Sequence, residues 1–137
     1  MAVLPFDNLT PEPLLTREIL GAVRDAMENQ LGLRPAGEQQ ADAIVRGIIT
    51  RYEPDLPVAF TSTAGGAGQP QRVDVTRRLL QITVTVQILD QKAGKTLWER
   101  SGLVVEGDYA TGREADGRKK ALDRLVENIV QGAQSQW

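Results

Sequence analysis

The sequence predicts an α+β domain with two helices packed on one face of a four-stranded, mostly antiparallel sheet, in the order β-α-β-β-β-α. Three observations predict it. Leu80, Ile82, Val84, Val86 and Ile88 alternate with Gln81, Thr83, Thr85 and Gln87, the period of a strand with one core face. Two other segments space their apolar residues by three and four, so each is a helix with one stripe to bury. Strand-like runs flank these segments, and 137 residues in one domain, 1–137, bury about two-thirds of their unfolded surface.

Ala2 to Phe6 is a short apolar run, expected as a buried strand and closed by the turn Asp7-Asn8-Leu9-Thr10-Pro11. Leu15, Ile19, Ala22, Val23, Ala26 and Met27 mark the first helix, from about Leu14 to Leu31, with Pro11 and Pro13 before it and Gly32 as its C-cap. Ala41 to Tyr52 reads as the next strand, with Ala43, Val45, Gly47 and Ile49 on one side and Ile44, Arg46, Ile48, Thr50 and Tyr52 on the other. Pro54 and Pro57 are expected to break or bend it, and Thr61 to Pro70 to form a Gly-rich loop tip. After the Leu80–Ile88 strand, Asp90–Lys95 forms a hairpin with Gly94 where φ is positive, and the chain returns through Thr96–Tyr109, where Gly102 and Gly107 suggest bulges. Ala121, Leu122, Leu125, Val126, Ile129 and Val130 define the second helix, with Glu114 and Asp116 near its start and Gly132 as its first breaker.

The composition narrows the chemistry. The chain has no Cys and no His, which removes disulfides, thiolate metal sites and the commonest general base. Ser62 and Ser101 therefore lack an imidazole partner, and the carboxylates are scattered over turns and helix faces. Gly94-Lys95-Thr96 resembles the tail of a phosphate-binding loop, but Leu89 stands where that loop needs Gly. Asn8-Leu9-Thr10 fits a glycosylation sequon, yet its place at a turn suits local capping. No catalysis, cofactor or metal is expected, and a net charge of −2 gives no field for nucleic acid.

What remains are surfaces. Basic residues cluster at Arg46 with Arg51, at Arg118-Lys119-Lys120, and at Arg72 with Arg77 and Arg78, whose planar forks suit phosphate oxygens. Ile44, Ile48 and Tyr52 leave apolar surface on the side of the sheet away from the helices, and with Trp98 they are the candidate partner contacts. No apolar run is long enough for a membrane-spanning helix, so a soluble domain is expected. The core strand starts almost at Met1, which suggests a leader upstream.

AVLPFDNLT at 2–10, the Leu15-Thr16 pair, ADAIVRGIITRYE at 41–53, VTVQILDQKAGKTLWE at 84–99 and GDYATG at 107–112 before an Ala/Leu-rich helix together resemble the LPS-assembly lipoprotein LptE family, over nearly the whole chain. The resemblance implies a non-catalytic lipoprotein on the periplasmic side of the outer membrane. Such a protein plugs the LptD β-barrel and helps deliver lipopolysaccharide; the family's own basic contacts do not align onto this chain, and Arg72, Arg77 and Arg78 are the candidates for its phosphates by their chemistry alone. The family's signal peptide and lipid-bearing Cys are absent here, so a lipid anchor is expected upstream. The AVLPF-N-T opening and the D-x-x-x-G-K-x-L-W hairpin are also similar to periplasmic lipoproteins of the LpoB and CsgG type, and the alternative is an activator or secretion-assembly factor of that kind.

Overall fold

The computed structural model describes residues 2–32, 41–63 and 72–135. Its elements are β1 (Ala2–Val3), β2 (Asp7–Asn8), α1 (Leu14–Asn29), β3 (Ala43–Thr63), β4 (Arg72–Asp90), β5 (Lys95–Ala110) and α2 (Glu114–Gln134). β1 and β2 both run parallel to β3, and β3, β4 and β5 follow as an antiparallel meander. The architecture is the predicted one, with the first strand split in two.

The split has a cause. Ala2–Val3 pair with Ile44–Val45 and Asp7–Asn8 with Ile48–Ile49, so three residues, Leu4, Pro5 and Phe6, stand opposite two. Pro5 has no N–H for the ladder. The extra residue turns Phe6 into the core, where its ring lies over Gly47, and a Cβ on Gly47 would come within 2.7 Å of that ring.

The Asn8 side chain then builds the turn into α1. Its Oδ1 accepts from the Thr10 backbone N–H at 2.9 Å and from the Thr10 hydroxyl at 2.6 Å, while its Nδ2 donates to the Glu12 carbonyl at 2.7 Å. α1 buries Leu15, Ile19, Val23, Ala26 and Met27 and ends at Asn29, two residues before the expected Leu31. Leu80, Ile82, Val84, Val86 and Ile88 of β4 are fully buried beneath both helices. Each such side chain stabilises the fold by roughly 1.5–3 kcal/mol.

Four expectations need correction. The strand expected to stop near Tyr52 continues to Thr63; Pro54 and Pro57 bend it, as one of the two expected outcomes had it, but do not end it, and its register shifts fall at 49/51, 53/56, 57/59 and 59/60. β2 pairs only as far as Ile49, so from Thr50 onward one edge of β3 has no neighbouring strand among the described residues, and an edge tolerates proline's missing donor. The expected loop from Thr61 is accordingly narrower. Thr61–Thr63 pair with Asp74–Arg72, and the rest of it lies outside the described residues. Gly102 does form a bulge, with φ +63° and a register shift opposite Thr85, but Gly107 does not. At Gly107 the strand instead touches α2: a Cβ there would lie 1.9 Å from the Gly117 carbonyl oxygen. Gly132 does not break α2. It leaves space for the Trp98 indole, whose atoms a Cβ on Gly132 would meet at 2.4–2.7 Å.

Candidate functional site

β5 reaches only to Ala110, opposite Arg77, whereas β3 and β4 continue paired to Thr63 and Arg72. A two-stranded arm therefore leaves the domain at the pole where both helices begin. There the Arg118 Nε donates to the Glu18 carboxylate at 3.1 Å, and the Tyr52 hydroxyl donates to Glu114 Oε1 at 2.7 Å, tying β3, α1 and α2 together. Burial, reinforced by that hydrogen bond, pushes the Tyr52 hydroxyl pKa well above its ordinary value, so it stays a donor.

Arg77 and Arg78 sit at the base of the arm, each paired with a carboxylate: Arg77 with Asp108 and Arg78 with Asp55. Arg72 stands in β4 opposite Thr63, and its side chain lies outside the described residues. Arg77 opens onto a cleft of about 430 Å³ that it shares with Tyr109, Arg113, Asp116, Lys119 and Lys120. Lys120 Nζ reaches Asp108 Oδ1 at 3.3 Å, Arg113 Nε reaches Asp116 at 3.0 Å, and Lys119 lies 3.9 Å from Asp123. A smaller cleft, about 330 Å³, holds Pro54, Asp55, Arg78, Tyr109, Gly112 and Glu114, and the Tyr109 hydroxyl donates to the Pro54 carbonyl between the two.

Four cations thus surround one cleft with three carboxylates among them. Exposed ion pairs of this kind are worth about 0–1 kcal/mol, so an incoming phosphate can take Arg77 or Lys120 from Asp108 at little cost. Lys120 and Lys119 joined this group from the basic run on α2, but Arg118 did not. Consecutive helical residues are turned by about 100°, and Arg118 faces Glu18 and Tyr52 instead.

The hydrogen bonds from Arg77 and then Lys120 hold the Asp108 carboxyl down at about 2. The folded state binds the proton more weakly than the unfolded chain, so Asp108 contributes stability that is present above about pH 4 and lost as pH falls towards 2. Asp108→Asn is expected to melt below the wild type at pH 7, with the gap closing between pH 4 and 2. Melting curves across that range check it, and a gap independent of pH would contradict the pairing.

The sheet face away from the helices is more polar than expected. Arg46 Nε donates to Gln87 Oε1 at 3.1 Å, Gln87 Nε2 to Glu99 at 2.8 Å, and Gln81 Nε2 to Glu106 at 2.8 Å, forming transverse polar rows. Among the described residues, Ile48 and Val104 are its exposed large apolar side chains. Ile44 is covered by Ala2, Ala41 and Leu4. Tyr52 is not on this face at all, because the register shift between Ile49 and Arg51 reverses the alternation and turns its ring into the main core. Trp98 likewise packs against that core, beside Gly132.

Among the described residues no group of His, Cys, Asp or Glu is placed to hold a metal, and no helix is long and apolar enough to cross a membrane. The sequence model of LptE, described as lipopolysaccharide-assembly, matches residues 1–133. No curated protein matches the chain. Solved structures match the fold. A Xanthomonas campestris protein of the family DUF330 has a TM-score of 0.63 at 14% identity, covering 98% of this chain and 85% of that one. A proposed lipoprotein from Caulobacter crescentus CB15 has a TM-score of 0.57 at 15% identity, covering 96% and 90%. A Chlamydia trachomatis protein has a TM-score of 0.56 at 11% identity, covering 98% and 95%.

Proposed function

This chain belongs to the LptE family of lipopolysaccharide-assembly proteins, and from that membership we propose that it plugs an LptD-type outer-membrane β-barrel and contacts the phosphates of lipopolysaccharide. The family is one of outer-membrane lipoproteins, and this chain is a lipoprotein of lipopolysaccharide assembly. The observation that carries the reading is the extent of the match, 133 residues that include the whole sheet and nearly all of both helices.

The geometry supports the finer statement in two ways. Barrel interiors in the outer membrane are polar, and the Arg, Gln, Glu and Thr rows on the uncovered sheet face suit a polar wall better than an apolar one. Ile48, exposed among them, is the proposed central contact; Ile44 supports it from beneath Ala2, Ala41 and Leu4, and Tyr52 and Trp98 contribute from behind by holding the sheet to the helices. Arg72, Arg77 and Arg78 remain the proposed phosphate contacts, joined by Lys120 across the cleft.

Co-expression of this protein with the LptD-type barrel from the same organism tests the reading. A stoichiometric complex is expected on affinity purification, and recovery of the tagged chain alone would overturn it. For the lipid contact, changing Arg72, Arg77 and Arg78 to alanine is expected to weaken binding to purified lipopolysaccharide by about tenfold or more, since each charge-assisted hydrogen bond contributes roughly 1.5–3 kcal/mol. Binding that is unchanged, or insensitive to salt, would reject the phosphate contact.

A further inference from the structure

The four cations of the cleft are not neutralised alike. Arg113 has Asp116 at 3.0 Å and Lys119 has Asp123 at 3.9 Å, each pair formed within one stretch of chain. Asp108 instead joins three elements from its place in β5. Its Oδ2 accepts from Arg77 of β4, and its Oδ1 accepts from Lys120 of α2 at 3.3 Å. One carboxylate thus serves two cations, which leaves a surplus positive charge at Arg77 and Lys120. Both of these side chains line the cleft, whereas Asp108 does not. An anion entering the cleft therefore meets the same two head groups that Asp108 holds, and two anions on one pair of cations repel each other. Lys120 also donates to the Asp108 backbone carbonyl at 3.1 Å, a contact that keeps its ammonium in place when the carboxylate is given up.

We propose that Asp108 is the internal counter-anion of the phosphate site, holding Arg77 and Lys120 in the free protein and releasing them to a phosphomonoester when one binds. This rests on the phosphate reading above and adds how the site is kept reversible. A phosphomonoester carries a charge of about −1.5 to −2 and three acceptor oxygens, against one charge and two oxygens on Asp108, so it can take both cations from the carboxylate. The exchange returns part of that gain, because the ion pairs of the free protein are lost as those of the complex form. A cleft with its cations already paired thus binds phosphate more weakly than bare cations would, and a headgroup that enters it can also leave. The same pairing stabilises the fold while the site is empty.

Asp108→Asn tests this, with Asp42→Asn as the matched control. Asp42 is likewise an aspartate paired with a lysine, Lys92 at 2.9 Å, but it lies beside the Asp90–Lys95 hairpin and does not line the cleft. In titrations with glucose 1-phosphate followed by NMR, Asp108→Asn is expected to bind about three- to tenfold more tightly than the wild type, the range for releasing exposed ion pairs. Asp42→Asn is expected to bind as the wild type does, and adding Arg77→Ala to Asp108→Asn should cancel the gain. Because the coupling is reciprocal, saturating glucose 1-phosphate should raise the melting temperature of Asp108→Asn more than that of the wild type and narrow the gap between them. Purified lipopolysaccharide is the second probe, and the same gain is expected with it. A gain with glucose 1-phosphate alone would keep the counter-anion and overturn the lipid as the source of the phosphate. Binding of both probes no tighter than to the wild type, or a gain equalled by Asp42→Asn, would overturn the counter-anion and leave the phosphate contact standing. No binding of either probe to any of these proteins would overturn both.

Discussion

Replacing Gly107 with alanine is expected to cost the domain about 3 kcal/mol or more, the upper range for overpacking. The added Cβ would lie 1.9 Å from the Gly117 carbonyl oxygen and 3.0 Å from the Ala121 nitrogen. Both are helix backbone, so no rotamer change relieves the contact, and α2 must lift off β5. That movement would loosen Ala121 and Leu125, which are fully buried under the same helix, and would separate Tyr52 from Glu114. Thermal unfolding followed by circular dichroism checks it, with a midpoint lowered by about 10 °C or more expected for a domain of this size. Gly21→Ala is the control. Gly21 lies on the exposed side of α1 with nothing within 4 Å of an added Cβ, and alanine there is expected to be neutral or stabilising by up to about 1 kcal/mol. Equal melting temperatures for the two variants would contradict the close approach of α2 and β5.

The second large effect is expected at Phe6. Its side chain is 2% exposed and fills the space over Gly47, so Phe6→Ala should cost about 3–5 kcal/mol through lost burial and the cavity left behind. Gly47→Ala should also destabilise, because its Cβ would meet both the Phe6 ring and, at 2.5 Å, the Thr85 carbonyl oxygen. Combining the two tests the geometry more sharply than either alone. Alanine at 6 removes one of the two obstacles to a side chain at 47, so the double variant is expected to lose less than the sum of the singles, with a coupling of about 0.5–3 kcal/mol by denaturant titration. Strict additivity would mean that ring and glycine do not touch.

These contacts also govern the candidate site. The N-terminal end of α2 carries Arg113, Lys119 and Lys120 towards Arg77, and its position is set by the bare glycine contact with β5 rather than by side chains that could adjust. Variants that lift α2 are therefore expected to alter the cationic cleft as well as the stability.

Much of this was legible in the sequence. The two helical stripes and the Leu80–Ile88 alternation established the α+β class and the order of elements, because burial of one face imposes a period that neighbours in the chain share. The hairpin at Asp90–Lys95 was legible too, since Gly94 takes φ +67° where only glycine is comfortable. Chemistry was bounded by composition alone, through the absence of His and Cys.

Three matters were decided only by the tertiary structure. Pro54 and Pro57 read as breaking or bending the strand, and the fold decides for bending, because among the described residues the edge of β3 is empty beyond the point where β2 stops. Tyr52 shares its parity with Ile44 and Ile48 in the sequence, but a single shift in pairing with β4 carries it to the opposite side of the sheet. Gly107 reads as a bulge or bend and Gly132 as a breaker, although each is small because another element approaches it, the α2 backbone at Gly107 and the Trp98 ring at Gly132. Local periodicity records which residues are buried, whereas register, edges and close approaches are relations between segments, and only the assembled fold brings those segments together.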